Sequence, residues 1–385
     1  MNINEVFPHR WCEQMRKGEG FSHFERTIED VLDFVREHEK SPFFPAYTNH
    51  GIQHLKAVAK NCDELIGRDA LSLLTSSDFA LLAVAIAIHD IGMCLGKDEL
   101  CAILSDPNDE EIQREWRRFV DETSHWKKHD CQKTLGIYPP QLKSIDPRDY
   151  NDDQCLFVGE FLRRKHGEIA LRLATTQFHN IKAITEHPTT CSDFFKLAGL
   201  IAHSHTIDIG SSMEQLAEEF AVQEQIDCGL LLDAHVPFLK CLLRIADYAE
   251  FRSFSSQYFF SRHVSTKSRI SILENDTMAA IKSTHWRNSG KEELMLEFSS
   301  DDPHVVMNVD RYQKGIETEI HRCWSILSEY YSKYSDPVFA LSGLSIRKVK
   351  FRNLKEKTFL KAFYKKPLQI TVDKSQIIYL LARPL

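Results

Sequence analysis

Histidines and aspartates stand at the ends or on the inner faces of five largely apolar segments of this chain. The stretch ALLAVAIAIHDIGM, residues 80–93, closes a run of apolar side chains with His89-Asp90. YTNHGIQHLKAVAK places His50 and His54 one turn apart, the second one turn ahead of the inward Val58. FLRRKHGEIALRL carries His166 behind Arg163, Arg164 and Lys165, and LAGLIAHSHTID carries His203 and His205 at the end of an apolar helix, with Asp208 beyond them. FLKCLLRIADYAE places Asp247 inside another apolar segment. A His-Asp pair alone carries little weight, because 18 histidines in 385 residues give about one by chance. A second pair, His129-Asp130 in SHWKKHDCQK, lies among lysines, where a solvated helix face accounts for it. His89-Asp90 differs because a helix that is apolar on every side is buried all round, so its polar end must find partners. A salt bridge, a hydrogen-bond network or a metal ion would each supply them.

The elements that must position these residues are helices. From residue 21 to about 255, apolar positions recur at three and four and strand alternation is scarce. Ser22 is expected to cap a first helix, which SPFFP at 41–45 ends. A second runs from His50 to Leu65 with Leu55, Val58, Ala59, Cys62 and Leu65 inward, and the third is the buried one, capped near Ser77 or Asp78 and stopped by Gly92 and Gly96. A charged amphipathic stretch covers 109–136, a proline-bearing loop 138–153, and helical segments follow near 154–174, 193–204 and 230–250. After about 255 the texture changes: MAAIKSTHW and ELMLEFSS flank RNSGKE as a hairpin, a helix covers 310–334, and LSIRKVKFRNL and PLQITVD add strands. The expected fold class is mainly α, with a helical domain over 1–255 and a smaller C-terminal α+β accessory or connecting region over 256–385.

Composition narrows the function classes. A chain of 44.6 kDa exceeds one core of average size, and 43% apolar with 27% charged residues describes a globular protein. A net charge of −7 gives no general attraction to nucleic acid, so a polyanion site would need a local basic patch. The longest purely apolar run, Phe79 to Ile88, is about half of a bilayer span, so no membrane span is expected, and the N-terminus has no secretory pattern. Ten cysteines without a CxxC read as reduced core residues, which points to the cytoplasm and against a thiolate zinc site.

The order His54, His89-Asp90, His166, His203, Asp247 resembles the HD-domain superfamily of metal-dependent phosphohydrolases over roughly residues 20–255. HLKAV, AIAIHDIGM and LLRIADYAE look like that family's first-histidine helix, His-Asp helix and terminal-aspartate helix. The chain looks closest to the branch of bacterial conflict systems, or bacterial defence, whose HD domain precedes an Hsp90-like ATPase, and the apolar C-terminal LQITVDKSQIIYLLARPL resembles the lead-in to that module. The resemblance implies an HD-type helical bundle, one metal ion on His54, His89, Asp90 and Asp247, and a second allowed by His166 and His203.

Imidazole and carboxylate without thiolate suit one or two divalent ions among Mn²⁺, Fe²⁺, Co²⁺, Ni²⁺, Zn²⁺ and Mg²⁺. Two ions bridged by Asp90 would make a nucleophile of water near neutral pH and aim it at phosphorus, with His166 beside it. Arg163 and Arg164 could clamp phosphate oxygens, His205 or Asp208 could manage protons at the leaving group, and His50 is either a further contact or a helix-start hydrogen bonder. The expected function is hydrolysis of a phosphoester in a nucleotide or cyclic nucleotide. Two alternatives stay open: a nucleotide-sensing module that controls a partner or a following ATPase without hydrolysis, and a single-strand nuclease. The last is favoured by IRKVKFRNLKEKTFLKAFYKK at 346–366, basic with interleaved aromatics, and disfavoured by the overall acidity.

Overall fold

The computed structural model describes residues 1–18, 21–45, 50–106, 110–124, 137, 140, 142, 145–175, 192–220, 234–250, 269–287, 291–332 and 338–355. Its architecture is mainly α with a small C-terminal α+β region. In chain order the helices are α1 (His9–Met15), α2 (Phe21–Glu37), α3 (Ile52–Leu65), α4 (Arg68–Leu71), α5 (Ser76–Ile88), α6 (Lys97–Ser105) and α7 (Glu110–Ser124). They continue as α8 (Asp152–Thr175), α9 (Ser192–His203), α10 (Ile209–Phe220), α11 (Val236–Tyr248), α12 (Arg269–Ala280) and α13 (Pro303–Tyr331). Strands β1 (Ile281–Trp286), β2 (Glu293–Phe298) and β3 (Lys348–Asn353) form one sheet in that order.

The fold is organised around α5. Every residue from Phe79 to Ile88 is buried, so the helix has no wet face, and α1, α2, α3, α9 and α11 all pack on it. Each of its large side chains contributes about 1.5–3 kcal/mol by leaving water. Its cap is Thr75, upstream of the expected Ser77 or Asp78. The Thr75 hydroxyl accepts from the Asp78 N–H at 3.2 Å while the Asp78 carboxylate accepts from the Thr75 N–H at 2.9 Å, a reciprocal box. Asp78, with no exposed surface, also accepts from the backbone N–H of His235 at 2.7 Å and from its Nδ1–H at 2.8 Å. The starts of α5 and α11 are thereby pinned together, and at the other ends of these two helices stand His89-Asp90 and Asp247. Asn61 on α3 donates to the Ala246 carbonyl at 2.9 Å, which fixes α3 against α11.

Some boundaries differ from the expectation. Ser22 lies inside α2, which begins at Phe21, so it is not the cap. Helix α13 starts at Pro303, well before residue 310, because Asp302 accepts from the His304 N–H at 2.8 Å and Pro303 has no N–H to leave unpaired. Residues 278–280 finish α12, and the strand begins at Ile281. β1 and β2 pair antiparallel, Thr284 facing Leu296, as the hairpin reading expects, whereas β3 joins β2 in parallel, Leu296 facing Phe351. Residues 288–290 of the turn, the PLQITVD segment, residues 356–366 of the basic stretch and the pair His129-Asp130 lie outside the described residues. Ser76–Cys94 is long and apolar enough to cross a bilayer by composition, yet 94% of it is buried inside the protein, as a core helix must be.

Candidate metal centre

Helix α5 ends at Ile88, and its cap His89 leads into a tight turn, Ile91–Cys94, that begins at Asp90. His89 is still helical, with φ −55° and ψ −36°, so Asp90 follows it by one helical step and the chain leaves the helix only there. His89 has no exposed surface and Asp90 retains 5%. The first group gathered there is His54, His89, Asp90 and Asp247, from α3, the end of α5 and α11. His54 Nε2 lies 3.1 Å from His89 Nε2, 3.2 Å from Asp90 Oδ2 and 3.4 Å from Asp247 Oδ1. His89 Nε2 lies 3.3 Å from Asp90 Oδ2 and 3.7 Å from Asp247 Oδ1.

Asp90 turns its other oxygen to a second group. His166 Nε2 lies 3.3 Å and His205 Nε2 3.4 Å from Oδ1, and the two ring nitrogens are 2.8 Å apart. One carboxylate is thus shared between two imidazole pairs. His50 completes the surround, its Nδ1–H donating to Asp90 Oδ2 at 2.6 Å.

The orientation of the rings decides what the cluster can hold. His89 Nδ1–H donates to the Ile86 carbonyl at 2.8 Å, His166 Nδ1–H to the Arg163 carbonyl at 2.8 Å, and His205 Nδ1–H to the Ala202 carbonyl at 2.5 Å. A carbonyl only accepts, so the proton of each neutral ring sits on Nδ1 and Nε2 presents a lone pair. His54 turns its Nδ1 towards the buried Glu250 carboxylate at 3.6 Å, beyond hydrogen-bond distance, and the negative charge there favours the proton on Nδ1 in the same sense. Neutral, these four rings aim lone pairs at one another across 3.1 and 2.8 Å, beside carboxylates. A cation in each gap resolves that repulsion, and nitrogen with carboxylate oxygen is a donor set that divalent ions accept. The residues fit one metal ion, and the second group extends the site.

The proton balance agrees. Burial pushes His54 down, but Asp90, Glu250 and Asp247 outweigh it and raise it to about 9. His89 is likewise depressed by burial and carried well above its ordinary value by Asp90 and Asp247. Asp90 and Asp247 resist the upward push of burial and stay below the usual carboxylate range through the neighbouring histidines, Asp247 at about 2. Without a metal, protons supply the positive charge that these carboxylates demand. His166 behaves oppositely: burial, helped by His205, lowers it to about 4, so it is a neutral lone-pair donor at physiological pH.

Other expected site residues lie elsewhere. His203 ends α9 and its Nδ1 meets Gln215 at 3.3 Å; His205, two positions on in the turn that follows, takes the place beside His166 expected of His203. Arg163 pairs with Glu160 on its own helix at 2.8 Å and Arg164 is 3.8 Å from the same carboxylate, both half-exposed. Asp208 caps α10 by accepting from the Gly210 N–H at 2.9 Å and pairs with Arg322 at 3.0 Å. Glu250 is the residue the sequence reading overlooked; its signal was its place three residues after Asp247. Gly92 and Gly167 are also needed: a Cβ on Gly92 would stand 2.8 Å from the His166 Cα, and one on Gly167 would run into the Thr206 side chain beside His205.

The model of the family HD-CE matches residues 44–322. No curated protein and no solved structure matches the chain.

Proposed function

Since the chain belongs to the HD-CE family, we propose that it is a metal-dependent phosphohydrolase that cleaves a phosphoester of a nucleotide or cyclic nucleotide. The observation that carries this reading is Asp90, whose two oxygens face two imidazole pairs with converging Nε2 atoms. His54, His89, Asp90 and Asp247 would hold one cation, and Asp90, His166 and His205 a second. When bound, such cations supply Lewis acidity, polarising a phosphoryl oxygen and making water more acidic.

The rest falls to the protein's own groups. The Ile86, Arg163 and Ala202 carbonyls hold the His89, His166 and His205 rings in the ligating tautomer, and the Glu250 charge 3.6 Å from His54 Nδ1 favours the same tautomer there, so little reorganisation accompanies binding. The side chains of Asp247, His50 and His166 keep 25, 19 and 16% of their surface exposed, against 3% for His54 and none for His89. Substrate therefore approaches from the Asp247, His50 and His166 side, with the apolar α5 as the rear wall. His50, bonded to Asp90 and more exposed than His54, His89 or His166, is placed to pass a proton to the departing oxygen. A place in the conflict-system branch, before an Hsp90-like ATPase, and action in the cytoplasm belong to the same proposal and rest on the sequence resemblance and on the buried free cysteines.

The test is a panel of nucleotide monoesters, diesters and cyclic nucleotides, assayed with Mn²⁺, Ni²⁺ or Co²⁺. Phosphate release or diester cleavage that disappears in Asp90→Ala is expected. Nucleotides that bind tightly and stay intact over hours would replace this reading by the sensor; strongly salt-dependent cleavage of oligonucleotides would replace it by the nuclease.

A further inference from the structure

The turn that delivers His205 to Asp90 is held from outside the cluster. It runs from Ser204 to Asp208 between α9 and α10. Arg244, on α11 one turn before Asp247 and only 8% exposed, donates through Nη1 to the Ile207 carbonyl at 2.5 Å and through Nε to Glu319 at 2.5 Å. Glu319, 9% exposed, lies on α13 in the C-terminal region. One turn further along α13, Arg322 pairs with Asp208 at 3.0 Å. Lys240, one turn before Arg244 and fully buried, ties the start of α10 to α11 through the Ser212 carbonyl at 2.7 Å and hydroxyl at 2.9 Å.

These contacts differ from ordinary packing. A buried Arg–Glu pair is costly to desolvate unless it is fully bonded, and it is weak evidence for stability alone. Here the pair spends a guanidinium N–H on a backbone carbonyl two residues from His205. We propose that Arg244 is a positioning residue for His205, and that α13, through Glu319 and Arg322, sets whether the second group is assembled. This deepens the phosphohydrolase reading and rests on it: movement of α13 would switch the Asp90, His166 and His205 group while leaving the Asp247 group in place. The asymmetry follows from the connections. His54, His89 and Asp90 are carried by α3, α5 and the turn after it, and Asp247, although its helix α11 also packs on α13, follows Ala246, whose carbonyl is fixed to Asn61 of α3, whereas His205 hangs on a turn whose fastenings at 207 and 208 both lead to α13.

Glu319→Gln keeps the shape and removes the charge; Arg322→Ala acts at an exposed position and spares the core. Mn²⁺ titration of the full chain should show the weaker class of sites loosened 10- to 100-fold in Glu319→Gln, with the tighter class changed less than twofold. In a His205→Ala background, Glu319→Gln should add nothing further, a non-additivity that general loosening would not produce. Equal weakening of both classes, or additive effects in the double variant, overturns the proposal. Hydrogen exchange, read without metal, separates this from the cation reading: amides of 204–212 should exchange faster in Glu319→Gln and in Arg322→Ala, while those of α5 do not change. Unchanged exchange at 204–212 overturns the relay even if the metal reading holds; a wild-type protein that binds no Mn²⁺ while 204–212 responds overturns the metal reading and keeps the mechanical link.

Discussion

Gly92→Ala should separate the two halves of the metal centre. Gly92 sits two residues after Asp90, in the tight turn that faces α8, and a Cβ built on it lies 2.8 Å from the His166 Cα, 3.0 Å from its Cβ and 3.2 Å from its carbonyl oxygen. Two of these three atoms are backbone, so no side-chain rotation relieves the clash. Ordinary contact begins near 3.4 Å, so α8 must retreat by at least about 0.6 Å at this point. Metal–ligand distances tolerate about 0.2 Å. His166 Nε2, now 3.3 Å from Asp90 Oδ1 and 2.8 Å from His205 Nε2, would leave the second group, whereas His54, His89 and Asp247 lie on α3, the end of α5 and α11, which the alanine does not touch, and Asp90 stands two residues before it, ahead of the clash. Overpacking of this size costs about 1–3 kcal/mol, which the chain should survive. Elemental analysis after gel filtration in Mn²⁺, with circular dichroism on the same sample, is the assay. The variant should keep its helices and carry one ion where the parent carries two. Full occupancy by both ions, or complete loss of metal from a folded variant, would refute the reasoning.

Glu250→Gln should weaken metal at the first group 10- to 100-fold in chelator competition, because the negative charge 3.6 Å from His54 Nδ1 is removed; an unchanged affinity would remove Glu250 from the site. Asp78→Ala should lower stability by about 3–5 kcal/mol in urea titration, since it strips the buried His235 contact and the Thr75 N–H of their acceptor; a loss under 1 kcal/mol would mean that α5 and α11 are not pinned there. His54, raised to about 9 from an ordinary 6.5, gives the metal-free protein stability that is complete below pH 6.5 and lost as pH rises through 9. Its melting temperature should therefore fall across that window, by the equivalent of at most about 3 kcal/mol, and Mn²⁺ binding at pH 7 should release protons, seen as a calorimetric enthalpy that varies with the buffer; a buffer-independent enthalpy contradicts this.

The residues legible in the sequence are those whose chemistry conflicts with their surroundings. His89-Asp90 follows an apolar run that only burial explains, and His54 and Asp247 interrupt inward faces, so convergence could be anticipated before any coordinates. What local pattern could not supply was where a helix stops. Had α9 continued past His203, His205 would point to a different side; the turn, with the Thr206 N–H bonded to the His203 carbonyl at 3.1 Å, brings His205 round to Asp90 and leaves His203 to Gln215. Arg163 and Arg164 have an acidic neighbour that the spacing already contained, because Glu160 stands three and four residues ahead on the same helix, 2.8 Å from Arg163 and 3.8 Å from Arg164. In the fold, the helical periodicity and the hairpin were readable, but the parallel pairing of β3 with β2 joins residues more than fifty apart and leaves no trace in either strand. The cap of α5, expected near Ser77 or Asp78, is Thr75, and Asp78 is its reciprocal partner three residues on.

In the proposed centre one carboxylate, Asp90, organises the metal. This role is tested most directly by elemental analysis of the purified full chain beside Asp90→Ala, each checked for helix content. Bound divalent metal in the parent and none in a variant that keeps its helices is the expected result; equal metal content in the two proteins would refute the role of Asp90.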